Sequence, residues 1–290
     1  MVKIQEISIV TSFIGLWAHP YLPDQYEIFF GFLLIFTFGL LHGANDLLII
    51  HKFTAANKKV WFGKLTGYVA SVLGVGIFFY LFPTIGLIGF LIYSAYHFGE
   101  QQWQNLEKSS LFKLFEFTYG LFILMLLFIF HIKEVQVVIQ NITSVVIPEN
   151  YFIIGLGINI VLLVTLGIYF YRKLIDFKNR ILLEAFYLLV FTVIFRVSSL
   201  IWGFAIYFII WHSIPSIINQ INYLNGEINW KNFGKYIKSA FVYWIISLIG
   251  IAILYFLFKD IKIFNALFFS FLAAITFPHV LVIFILFKKK

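Results

Sequence analysis

Residues 26–51, YEIFFGFLLIFTFGLLHGANDLLIIH, form one apolar run with a single polar island inside it, Leu41-His42-Gly43-Ala44-Asn45-Asp46. The run exceeds the roughly 20 residues that carry a helix across a bilayer. Ionisable side chains at membrane depth are costly, so they face the bundle interior and partner one another, a substrate or a metal. The construction recurs at Tyr96-His97-Phe98-Gly99-Glu100-Gln101-Gln102, at Trp211-His212-Ser213-Ile214-Pro215-Ser216 and at Phe277-Pro278-His279-Val280. Apolar runs that each carry a histidine imply an all-α transmembrane helix bundle with an internal centre.

The remaining sequence agrees. Of 290 residues, 62% are hydrophobic and 12% charged, with a mean hydropathy of +0.96; soluble domains run near about 45–50% and 25%. Ten helices are expected, near 5–17, 26–51, 65–82, 84–104, 111–131, 151–171, 180–197, 199–223, 233–258 and 261–287. They are separated at His19-Pro20 with Pro23, Asn57-Lys58-Lys59, Pro83, Pro148 and Asn225-Gly226. Segment 132–150 is too polar to span and reads as an interfacial piece. No hydrophilic stretch is long enough for a second domain, so residues 1–290 read as a single transmembrane domain. Leu16-Trp17-Ala18 lacks the small residues of a cleavage site, and the first segment reads as a retained helix. The absence of cysteine excludes thiolate zinc sites and iron–sulfur clusters, which leaves imidazole and carboxylate as ligands. A net charge of +8 without a Gly-rich phosphate loop gives no reason to expect a nucleic-acid partner.

Charge distribution sets the orientation. With the N-terminus inside, the inner segments hold 17 of the 21 Lys and Arg residues, and only Lys133, Arg196, Lys259 and Lys262 lie outside. That bias favours ten spans with both termini cytoplasmic in a multi-pass cell membrane protein. Eight spans follow if the first helix or another short segment is only interfacial. His42, His97, His212 and His279 then fall on the second, fourth, eighth and tenth helices, all running inward. Each lies about 13–18 residues from its helix start, roughly 20–27 Å of travel. Ligands of one centre must share a depth, whereas scattered structural histidines need not.

Neutral imidazole suits iron, zinc, copper and nickel, and its second nitrogen usually needs an acceptor. Asp46, Glu100 and Ser216 each lie one turn after an island histidine and are the candidates to orient a ring or complete the coordination sphere. Gly43 and Gly99 permit close helix packing. Pro215 and Pro278 would kink their helices and free carbonyls. His19, His51 and His131 fall at span ends and read as structural, and Glu116 and Glu184 as solvated groups at cytoplasmic helix ends. Most aromatics fill helix interfaces. Tyr93, Tyr96, Phe98, Trp103, Trp202, Tyr207, Trp211 and Phe277, near the islands, are the candidates to line a cavity, and an aromatic wall suits a long conjugated substrate.

In order and spacing, Leu41-His42-Gly43-Ala44-Asn45-Asp46, His97-Phe98-Gly99, His212-Ser213 and Pro278-His279 resemble the Brp/Blh family of membrane β-carotene 15,15'-dioxygenases. The resemblance implies cleavage of the central double bond of β-carotene by O₂ into two retinal molecules. It implies Fe(II) held by histidines, a lipid-soluble carotenoid substrate, and delivery of retinal to a rhodopsin. Two positions depart from the family pattern: Ser216 stands where a second histidine is common, and Gln102 where an aspartate is common. Either His279 completes the histidine set, or Asp46 supplies a carboxylate, or substrate or activity has changed. Two other classes compete: a haem-binding electron-transfer protein with axial histidines, and a transporter or proton pathway built on a His/Asp/Glu relay. A relay should be staggered along the membrane normal, and a haem face does not call for Asp46 and Glu100.

Overall fold

The computed structural model describes residues 2–53, 58–104, 106, 109–257 and 261–288. Asn57 of one expected break, and Lys108, Lys259, Lys289 and Lys290 of the charge count, lie outside the described residues. The described chain is helical without a strand. In order it forms α1 (Val2–Ala18), α2 (Asp24–Leu34), α3 (Asp46–Phe53), α4 (Lys58–Leu81), α5 (Pro83–Gln102), α6 (Ser110–Phe130) and α7 (Ile132–Thr143). There follow α8 (Glu149–Lys173), α9 (Ile175–Val197), α10 (Leu200–Ile206), α11 (Ile214–Asn225), α12 (Trp230–Leu257) and α13 (Ile261–Lys288). Boundaries fall where local chemistry asks for them. Ser109 and Ser199 cap α6 and α10 by accepting from Phe112 N and Trp202 N, and Gly226 ends α11 at a φ of 91° that suits glycine.

Among the described residues, five helical stretches are long and apolar enough to cross a membrane: Lys58–Leu81, Ser110–Phe130, Glu149–Lys173, Leu200–Asn225 and Trp230–Ile253. Shorter apolar helices cover Gln25–Gly39 and Ser270–Ile283. The expected helix over 26–51 is interrupted by its own polar island, at a turn over residues 42–45. On α4 and α8, side chains such as Leu73, Ile77, Ile153 and Val161 are exposed, as lipid-facing helices require. The chain is a membrane protein by the length and apolar character of these helices. Segment 132–150 contributes α7, an amphipathic helix with Val135, Ile139 and Ile142 buried.

The chain forms two compact units: Met1–Gly31, Leu91–Gln140 and Ser144–Tyr207 make the first, and Phe32–Phe90, Asn141–Thr143 and Phe208–Lys290 the second. In the first, α5 and α6 cross with almost no gap. A Cβ on Gly99 would overlap the Glu116 carbonyl oxygen, and one on Gly120 the Ala95 carbonyl oxygen. Beside that crossing the fully buried Trp103 stacks on Phe177 at 4.8 Å and meets Phe112, Phe115 and Tyr119 edge-on. Glu184 is not the solvated group its helix-end position implies. It is buried, and its carboxylate accepts from Gln102 Nε2 at 2.7 Å, Tyr119 O–H at 3.0 Å and Arg180 at 3.2 Å. Glu116 is buried as well, because the Gly99 crossing draws α6 tightly onto α5.

The second unit holds the broken helix. After α2 the chain widens into a π-helical turn over Ile35–Gly39, and a turn over residues 42–45 precedes α3. A π turn lengthens the hydrogen-bond loop by one residue and frees carbonyls. Here Trp244 Nε1 donates to Phe36 O and Thr37 O at 3.2 and 3.1 Å. Beyond it, Gln220 Nε2 donates to His42 O at 2.6 Å. Asn45 closes the arrangement by donating to Tyr236 O at 3.1 Å and accepting from Ser239 Oγ at 2.9 Å. Polar side chains of α11 and α12 thus satisfy the backbone that the break exposes, which is what makes a break tolerable at membrane depth.

Candidate functional site

The three island histidines of the second unit, His42, His212 and His279, each sit where the helix departs from regular geometry. His42 opens the turn that ends the broken helix, His212 lies within a second π-helical turn over Tyr207–Ser213, and His279 follows Pro278 inside α13. Such departures are frequent at functional sites, because they re-aim side chains that a regular helix would hold elsewhere. All three are buried.

The His42 ring lies at the centre of the group. Its centroid is 5.1 Å from that of His212 and 4.7 Å from that of His279, with interplanar angles of 86° and 88°. Two imidazoles that each bind one ion at about 2.0–2.1 Å place their centroids roughly 4.5–5.2 Å apart, so these spacings suit a shared ion. Among the described residues no group of three or more His, Cys, Asp or Glu side chains meets the spacing of a metal site. Phe208, one helical turn before His212, completes the cluster. It stacks on His212 at 5.2 Å and 18° and meets His42 edge-on at 5.6 Å. Gly39 makes room for it, since a Cβ there would lie 2.7 Å from the Phe208 ring. A cavity opens beside the cluster, bounded by Ile35, Gly39, Leu40, His42, Gly43, Phe208, Leu272, Ile275, Thr276 and His279.

Asp46 faces His279, not the histidine of its own island, because the turn over 42–45 rotates α3 away from the preceding helix. His279 Nδ1 lies 2.9 Å from Asp46 Oδ1 and 3.1 Å from Oδ2. A carboxylate only accepts, so Nδ1 carries the proton and Nε2 keeps its lone pair. Neutral nitrogen donors, one of them oriented by a carboxylate, are the donor chemistry that first-row metals such as iron take. Asp46→Asn is expected to leave the bundle folded and to weaken Fe(II) retention about 10–100-fold, read by iron content after a chelator challenge. Iron content equal to wild type would make Asp46 a packing group.

Ser216, on the first turn of α11, accepts from Gln220 Nε2 at 3.2 Å, the same amide that holds His42 O. Its hydroxyl supports the support of His42. Ser216→Ala is therefore expected to keep most iron and activity and to cost about 1 kcal/mol of stability; loss of iron equal to that of His42→Ala would contradict this placement. Gly43 packs flat against His279, with the position of a Cβ 3.6 Å from Nδ1.

His97 belongs to the first unit and is buried on α5, two residues before the Gly99 crossing. Glu100, one turn on, accepts from Tyr96 O–H at 3.3 Å. The aromatics expected on a cavity wall are mostly committed to packing. Trp103 is a core residue. Trp202 donates through Nε1 to Gly15 O. Tyr207 is enclosed by Phe98, Phe191 and Phe195. Tyr93, Trp211 and Phe277 are absent from the lining of the cavity beside His42, and the ring that does border it is Phe208. Proximity to an island in sequence does not fix which face of a helix a ring occupies. Phe208, Gln220 and Tyr236 lie outside the islands that the sequence singles out. The only signal for Phe208 was its place four residues before His212.

A family model described as beta-carotene 15,15'-dioxygenase matches residues 33–287. The chain belongs to this family. The matched region takes in all four histidine islands, the turn over 42–45 and the side chains that hold it. No curated protein and no solved structure matches the chain. Membership gives a carotene dioxygenase of the membrane. The Gln102 amide donates to Glu184, where a second carboxylate would repel.

Proposed function

We propose that the protein cleaves the central double bond of β-carotene with O₂, one oxygen atom passing to each carbon, and releases two molecules of retinal. The observation that carries this reading is the His42 ring set between those of His212 and His279, with Asp46 on the outer nitrogen of His279. In this reading His42, His212 and His279 hold iron. When bound, Fe(II) supplies the one-electron chemistry that lets O₂ react with an alkene.

The protein's own side chains do the rest. Asp46 fixes His279 as the Nδ1–H tautomer and leaves Nε2 to bind. Gln220 holds the His42 backbone at the helix break. Ile35, Leu40, Phe208, Leu272 and Ile275 give the polyene an apolar, water-poor wall beside the histidines. A hydrocarbon substrate reaches such a wall through the lipid, between helices. Ten spans with both termini cytoplasmic, in the cell's inner membrane, fit the skew of 17 of 21 basic residues to one side. Retinal, as insoluble in water as its precursor, would pass to a retinal-binding membrane protein such as a rhodopsin.

Expression in cells that accumulate β-carotene tests the reading. The expected result is loss of orange pigment with retinal in the extract. Unchanged β-carotene in cells that contain the folded, iron-loaded protein would overturn it, and longer apocarotenals would move the cleaved bond away from the centre.

A further inference from the structure

Tyr68 stands outside every island, on α4, a helix without a histidine or carboxylate. The other described hydroxyls of that helix turn back on their own backbone or outward: Thr66 Oγ1 donates to Phe62 O, Ser71 Oγ donates to Tyr68 O, and Tyr80 is exposed. Tyr68 alone among them reaches a side chain on another element. Its hydroxyl donates to Asp46 Oδ2 at 3.0 Å, on the carboxylate that accepts from His279 Nδ1. Its ring packs against the core of Ile49, Ile50, Val282 and Ile283, which fixes where the hydroxyl points. The result is one chain, Tyr68 to Asp46 to His279, assembled from α4, α3 and α13 within the second unit.

A carboxylate held by one imidazole can rotate and exchange its two oxygens, and the ring rotates with it. A second donor on a third helix removes that freedom. We propose that Tyr68 is a positioning residue of the site: it locks the Asp46 carboxylate, which holds His279 with Nδ1 protonated and Nε2 available to a metal. The inference rests on the reading above that His279 is a ligand.

The test uses the full-length protein in detergent micelles, as wild type, Tyr68→Phe, Asp46→Asn, the Tyr68→Phe/Asp46→Asn double variant and His279→Ala. Fe(II) affinity is read by competition with a chelator, the ligand field by Co(II) absorption, and turnover by kcat and KM. Tyr68→Phe is expected to weaken Fe(II) binding by about 10-fold, the low end for loss of a partner behind a metal ligand. It should also shift the Co(II) bands and lower kcat while KM for carotene stays unchanged. The double variant should be no weaker than Asp46→Asn, because Tyr68 acts only through that carboxylate. Wild-type affinity and Co(II) spectrum in Tyr68→Phe would overturn the proposal, as would losses that add in full. Fe(II) affinity unchanged in His279→Ala would mean that the reading beneath it has failed. Full loss in His279→Ala with no change in Tyr68→Phe would sink this proposal alone.

Discussion

Gly99→Ala is expected to abolish accumulation of folded protein. A Cβ at this position would overlap the Glu116 carbonyl oxygen, with its carbonyl carbon at 2.5 Å and Cα at 3.1 Å. All three are backbone atoms, so no side-chain rotation relieves the clash. The crossing is reciprocal: a Cβ on Gly120 would meet the Ala95 carbonyl oxygen and lie 2.8 Å from Gly99 N. Relief therefore means separating α5 from α6, and with them the aromatic core around Trp103. Overpacking a core typically costs about 1–3 kcal/mol, and a clash between backbones exceeds that range. Gly43→Ala is the control, since its nearest neighbours would lie at 3.6–3.9 Å, an ordinary contact. The yield of monodisperse protein in detergent and its thermal midpoint decide. Wild-type values for Gly99→Ala would refute the close crossing.

His279→Ala is expected to remove iron binding and retinal formation as completely as His42→Ala. It takes away a nitrogen donor and leaves the buried Asp46 carboxylate with Tyr68 as its side-chain donor. The loss should exceed the roughly 10–100-fold that removal of a partner behind a ligand causes. It should exceed by a wide margin the effect of Ser216→Ala. If His279→Ala kept its iron and its retinal yield, His279 would be a structural partner of Asp46, and the departure at Ser216 would need another explanation.

Much of the architecture was legible from residues alone, and the reason is physical. Lipid leaves helices as the only way to satisfy a backbone across the membrane in an unbroken apolar run, so each such run could be read as a helix directly. Pro83, Pro148 and Gly226 marked ends because each forbids or permits a specific backbone state. The break at residues 42–45 was not legible. Its signals, Gly39, Gly43 and Asn45, are weak when taken singly. What stabilises it is Trp244, Tyr236 and Gln220, about 180–210 residues away, and no local rule reaches that far. Asp46 was legible as a carboxylate that orients a ligand histidine on another helix, but which of them it meets, His279, depends on the turn over 42–45 that sets the aim of α3. Glu184 read as solvated because its burial depends on Gln102 and Tyr119, residues of other helices.

Iron content per chain decides whether His42, His212 and His279 share one ion. Wild type, His42→Ala, His212→Ala and His279→Ala, each purified, loaded with Fe(II) and passed over a chelator, would be assayed for iron per chain. About one iron is expected per wild-type chain and none in any of the three variants, all four proteins remaining folded. Iron retained at wild-type level in any one variant would remove that histidine from the centre, and retention in two would contradict the account.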